Sequence, residues 1–167
     1  MKAVLISIRP KWCELIVNGQ KTVEVRKTKP KLETPFKCYI YCTKGDSLFD
    51  NGDRFYLYTP PHDTPVNANQ SVIGEFVCDA IIPCTADHMK DIANAACLSL
   101  PEMWEYAGKA SAYDLFGWHI SNLKIYTKPV YLGKLTKPYG TIIKAFDNPR
   151  IQRPPQSWCY VEEVKIE

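Results

Sequence analysis

Short apolar runs separated by turn residues recur along most of this 167-residue chain, and they restrict it to a sheet-based fold. KAVLISI (2–8), FKCYIYCT (36–43), RFYLYT (54–59), SVIGEFVCDAIIPC (71–84) and FGWHISNLKIY (116–126) each read as a strand, and WCYVEEVKIE closes as another. The long run 71–84 is expected to bend at Gly74 or near Asp79. Helical periodicity interrupts the strands twice. Pro10 at a first-turn position, with Trp12, Leu15 and Ile16 at helical spacing, predicts a short helix that stops at Gly19. From Ala86 to Cys97, Met89, Ile92, Ala93 and Ala96 share a helical face; Ser99-Leu-Pro-Glu is a capping box that starts a second helix, through Met103, Trp104 and Ala107, ending at Gly108. The pattern predicts an α+β protein: a small, strongly curved sheet or barrel, a short N-terminal helix and an inserted helical pair at about 86–109. One domain over 1–167 is expected from the length. The basic stretch 27–35, PPHDTPVNANQ (60–70) and the Pro-rich 144–157 read as loops. No Gly-rich loop follows a strand, which argues against mononucleotide and dinucleotide folds.

Other classes fall away on composition. No apolar run approaches the roughly 18 residues of a membrane span, and Arg9-Pro10 interrupts the N-terminal apolar stretch too early for a signal peptide. A cytoplasmic protein without a membrane partner is expected. The seven cysteines are odd in number and scattered, which predicts reduced thiols and no disulfide framework. Cys38, Ile40 and Cys42 share a strand face, so this pair reads as core; no second pair has zinc-ligand spacing, and no metal or cofactor is expected. His119 stands alone on a polar strand face, and no Ser-His-Asp or Cys-His arrangement is legible.

Charge is unevenly placed. Residues 1–37 hold nine Lys/Arg against three Glu, and residues 124–153 hold seven against one Asp; between them, residues 38–123 hold four against eleven acids. Brought together, the two basic segments form a phosphate-attracting surface; kept apart, they are ordinary solvated faces. Ser7, Arg9 and Lys11 fall at the end of the first strand and the start of the first helix, a place that suits an anion or an exposed turn. Trp12, Tyr39 and Trp118 are candidates for base stacking, though such aromatics more often belong to the core. The stretch NGQKTVEVRK (18–27) alternates: Val23 and Val25 point one way, and Thr22, Glu24 and Arg26 the other, beside Lys21. Either Glu24 and Arg26 form a surface ion pair, or the charged face walls a binding site.

Gly19-x-Lys21-x-x-Glu24-x-Arg26, directly after SIRPKWCELIVN, resembles the signature G-x-K-x-x-E-x-R of the ASCH domain in all four positions. The wider likeness covers roughly residues 3–84 and 116–126, and the insert and tail are similar to those of longer ASCH proteins of bacteria, phages and prophages. The resemblance implies a PUA-like β-barrel associated with RNA. It also implies a cleft, lined by the motif, between the first helix and the barrel, and a partner that is RNA, a nucleotide or a modified nucleoside. One branch of the family resembles an enzyme that deacetylates acetylcytidine with a Lys, a Thr and a Glu. Lys21 matches its lysine and Glu75 falls at its glutamate; Glu24 stands where its threonine would be, and Thr22 is not the matching position. Two readings follow. In a binding module, Ser7, Arg9, Lys11, Lys21, Thr22, Glu24, Arg26 and Trp118 would meet the nucleic acid. In a hydrolase acting on a modified nucleoside or on RNA, as amidohydrolase or ribonuclease, Lys21 and Glu75 would be the polar catalysts and Glu24 the base.

Overall fold

The structure is a computed structural model that describes residues 1–45, 54–58, 65–141 and 148–166. In chain order its elements are β1 (Lys2–Ile8), α1 (Pro10–Val17), β2 (Val23–Arg26), β3 (Phe36–Cys42), β4 (Tyr56–Leu57), β5 (Val66–Asn67), β6 (Ser71–Pro83), α2 (Met89–Ala95), α3 (Leu100–Ala107), β7 (Phe116–Val130) and β8 (Trp158–Glu162). They form two compact units: Met1–Glu14, Lys37–Phe76 and Leu123–Glu167 make the first, and Leu15–Phe36 and Val77–Asn122 the second.

In the first unit the strand order is β7-β6-β3-β1-β8. The continuous apolar run of β1 suits its interior place: Ala3 to Ile8 are buried, with β3 parallel on one side (Val4 opposite Cys38) and β8 antiparallel on the other (Lys2 opposite Glu162). Leu5, Tyr39, Tyr41, Val72, Tyr126, Leu135 and Val161 pack into this unit's core. The Tyr39 hydroxyl donates to the Val164 carbonyl at 2.7 Å and accepts from the Val164 N–H at 2.8 Å, which ties the tail to β3.

In the second unit the order is β2-β7-β6. β2 runs antiparallel to β7, with Val23 opposite His119 and Arg26 opposite Phe116. Val23 and Val25 pack with Met89, Ile92, Met103 and Leu115, so the apolar faces of both insert helices close on one side of β2. Trp118 is fully buried, edge-on to Phe36 at 6.0 Å between ring centres.

Helix ends follow the expected chemistry. Gly19, at φ 73°, terminates α1: its N–H reaches the Ile16 carbonyl and the Gln20 N–H reaches that of Leu15, the paired bonds of a Schellman closure. Ser99 caps α3, accepting from the Glu102 N–H while the Glu102 carboxylate accepts from the Ser99 N–H at 2.7 Å. All seven cysteines are free thiols, and Cys13, Cys38, Cys42, Cys78 and Cys84 are buried. Burial pushes the Cys78 thiol up to about 12 and those of Cys84 and Cys159 to about 11, so these three stay protonated at neutral pH.

Three expectations shift. Among the described residues, the strand expected at 54–59 is Tyr56–Leu57, paired with Val66–Asn67 inside the stretch expected to be a loop. A two-residue ladder is too short to leave the alternation that reveals a strand. The helix expected from Ala86 begins at Met89, because 86–88 form a turn. The strand read at 116–126 runs on to Val130, with Pro129 next to its last residue, where a sheet tolerates proline best. The Asn51-Gly-Asp turn, the last residue of the strand expected at 54–59, and 60–64 and 144–147 of the two loops lie outside the described residues.

Gly74 earns its place by close approach: an added Cβ would lie 2.5 Å from the Lys124 carbonyl oxygen on the neighbouring strand. Gly74→Ala is therefore expected to lower stability by about 1–3 kcal/mol, read from denaturant unfolding with an unchanged m-value. A midpoint equal to wild type would show that β6 and β7 separate freely here.

Candidate functional site

The charged residues of β2 and the loop before it are not a solvated face. Lys21, Glu24 and Arg26 are 3%, 7% and 8% exposed. Lys21 Nζ lies 3.2 Å from Glu24 Oε2, and Arg26 Nη2 lies 3.0 Å from Glu24 Oε1. One carboxylate is thus held between two cations, and the cluster keeps an excess positive charge out of bulk water. Burial excludes the surface-pair reading, because exposed pairs are worth little and buried charges persist only when paired.

Lys21 has a second task. Its ammonium donates to the Ala96 carbonyl at 2.8 Å, at the C-terminal end of α2. There Cys97 adopts φ 56°, its N–H reaches Asn94 O, and the Leu98 N–H reaches Ala93 O, a Schellman closure with cysteine in the usual glycine place. The two carbonyls still open are taken by the motif segment: Ala95 O accepts from the Thr22 N–H and Ala96 O from Lys21. A cation here also suits the negative end of the helix. Lys21 is fixed from the other side as well, since its N–H donates to Leu15 O at the end of α1. The Thr22 side chain is exposed, and its carbonyl accepts from Ile120 of β7.

Arg26 reaches Tyr106 of α3: the phenol oxygen accepts from the Arg26 guanidinium and from the Lys27 N–H. Burial nonetheless raises the Tyr106 hydroxyl above its ordinary value. Tyr106 is absent from the sequence expectations, for its partners lie eighty residues back in the chain and no local pattern announces them.

The other expected residues fall as follows. Ser7 is buried, and its hydroxyl donates to Pro155 O at 2.7 Å. Arg9 and Lys11 are exposed; the Arg9 carbonyl accepts the first N–H groups of α1, and Lys11 Nζ sits 4.5 Å from the centre of the Trp12 ring. Trp118 is interior. Glu75 belongs to the first unit, where Oε1 lies 3.2 Å from Lys37 Nζ and Oε2 accepts from the Tyr126 hydroxyl at 2.6 Å. Burial and the Glu75 contact both raise the Tyr126 hydroxyl. For Lys37, burial opposes the ammonium, but Glu75 and Glu163 outweigh it and its value rises. His119 does have an acidic partner: Nδ1 lies 2.6 Å from Asp79 Oδ1, and this contact, with help from Ser121, holds Asp79 below its usual range. Strand register makes that pair, and register is invisible before the fold is known. Among the described residues no group of three or more His, Cys, Asp or Glu gathers as a metal site, and no helix is long and apolar enough to cross a membrane.

Lys21→Met removes one cation and reopens the end of α2, so a loss of about 3–5 kcal/mol is expected in chemical denaturation. Adding Glu24→Leu should recover part of it, since the uncompensated carboxylate is then gone. Equal stability of single mutant and wild type would show that the buried pair carries no net interaction.

The sequence profile of the ASCH domain family matches residues 6–149. No curated protein matches the chain. Among solved structures, the ASCH protein of Zymomonas mobilis is similar with a TM-score of 0.59 at 20% identity, over 96% of this chain and 88% of that one. A tyrosine-to-phenylalanine variant of that protein gives 0.61 at 20% identity, over 98% and 92%. A serine-to-alanine variant gives 0.61 at 20%, over 96% and 89%. At this identity the structural likeness speaks for the fold, which is α+β and PUA-like. The profile match spans most of the length, and the chain belongs to the ASCH domain family, whose members bind nucleic acid in general.

Proposed function

We propose that this protein binds RNA or a nucleotide, and that the Lys21–Glu24–Arg26 cluster receives one nucleotide. The observation that carries this reading is the burial of two cations around a single carboxylate. Lys21 also closes α2, but apolar side chains of similar volume could replace the Glu24–Arg26 pair at little cost in stability, so the charge there supports recognition. A phosphate suits the excess positive charge, and Glu24 is a fixed acceptor for a base amino group. Exposed Lys27, Lys29 and Lys31 after β2 are the backbone-phosphate contacts in this reading.

Binding is favoured over hydrolysis by the occupation of Glu75: one oxygen faces Lys37 and the other takes the Tyr126 hydroxyl, which leaves it poorly disposed as the polar catalyst of the hydrolase reading. Ser7 and Trp118, being interior, take structural parts, and Thr22 offers only its exposed hydroxyl.

Titration with a short single-stranded RNA, followed by tryptophan fluorescence at two salt concentrations, tests the proposal. Binding is expected to weaken as salt rises, and Arg26→Gln is expected to lower affinity at least tenfold while circular dichroism stays that of the wild type. Salt-independent binding, or an unchanged affinity in Arg26→Gln, would sink it. Product released from RNA or acetylcytidine in the same mixtures would favour the hydrolase instead.

A further inference from the structure

We propose that Tyr106 of α3 is a stacking platform for a nucleobase and that Lys27 grips the adjoining phosphate; this rests on the nucleotide-binding reading above. Nothing in the signature motif includes either residue.

Three observations converge. First, the ring is held in place by the motif itself, because its oxygen accepts from the Arg26 guanidinium and from the Lys27 N–H. Second, α3 does not need Tyr106 to seat itself. Met103 and Ala107 are 0% and 2% exposed and supply the buried face, whereas Tyr106 is 39% exposed. Third, Lys27 Nζ lies 5.3 Å from the centre of the Tyr106 ring, and Lys29 Nζ lies 5.4 Å from that of Phe116. An ammonium over an aromatic face occupies the place a base takes when it stacks. A stacking base would displace the Lys27 ammonium, whose flexible four-carbon stem lets it meet the sugar-phosphate of the same nucleotide. Lysines alternate with other residues along the loop at 27, 29 and 31, so the backbone of a single strand meets successive cations there.

Another aromatic pair on this unit, Trp104 and Tyr113, is comparably exposed at 45% and 49%. It is the poorer platform. Its chain neighbours add Asp114 to the Glu105 that it shares with Tyr106, and the contact that holds it, edge-on at 5.6 Å between ring centres, is between its own two members.

The experiment uses the full chain, a short single-stranded oligouridylate, and an abasic ribose-phosphate strand of equal length. Tyr106→Ala is expected to weaken binding of the oligouridylate roughly ten- to a hundredfold and to leave the abasic strand unchanged, while Tyr106→Phe and Tyr106→Trp keep most of the affinity. Lys27→Ala is expected to weaken both strands alike and to flatten the salt slope by about 0.7. Wild-type binding with no change in Tyr106→Ala overturns the platform and leaves the proposed function standing. Equal losses in Tyr106→Ala and Tyr106→Phe also overturn it, because the hydroxyl contact with Arg26 would then be responsible. If wild type binds neither strand, the nucleotide-binding reading fails and the platform fails with it. Should Tyr106→Ala fold poorly, the Phe and Trp variants decide the matter, and a base-selective loss in both of them overturns the platform.

Discussion

The second unit depends on one ammonium group. Lys21 joins the strand that carries the motif to the end of a helix 75 residues away and at the same time neutralises a buried carboxylate. Each of these tasks limits the other. A side chain that served only the Ala96 carbonyl would leave Glu24 dependent on Arg26, and one that served only Glu24 would leave a helix end without its last donor. The helical insert is consequently tied into the signature strand at two separate points, Lys21 with Ala96 and Arg26 with Tyr106. Its helices are part of the motif's immediate surroundings.

The buried triad also explains how a family signature can be short. Gly19 closes α1 because its positive φ costs little there, Lys21 closes α2, and Glu24 and Arg26 complete the charge balance. Every signature position does a structural task that can be named, and a ligand would use groups already held in place. Pre-organised charges of this kind lose little freedom when they bind, which is the usual advantage of a rigid site. The same economy makes stability and recognition hard to separate by mutation at Lys21, while Arg26 and Tyr106 lie nearer the solvent side of the arrangement.

What could be read from the chain was local. Gly19, the Ser99–Glu102 box and the apolar spacing of Met89, Ile92 and Ala93 depend on residues within a turn or two, and each appears where expected. The alternation of Val23 and Val25 with Glu24 and Arg26 was visible too, but alternation normally marks one wet face, and here all four residues are buried. The difference lies in the distant partner: nothing near Arg26 in sequence predicts a tyrosine from α3. The His119–Asp79 pair and the Glu75–Tyr126 contact, 40 and 51 residues apart, were hidden for the same reason. The two-residue strand β5 escaped because a ladder that short has no period to detect, and its partner β4 reads as part of a longer run.

The two helix closures turn the motif into a ruler. Gly19 ends one helix and Lys21 ends another, so the chain between them has no slack, and β2 begins two residues later with its faces assigned. Side chains on a strand swap faces with every single-residue step. A chain with one residue fewer between Lys21 and Glu24 would turn its carboxylate toward Met89 and Ile92 and its valines toward the charges. The interval between glycine and glutamate is thereby fixed in length: a substitution there leaves the strand faces assigned, and a single-residue deletion swaps them.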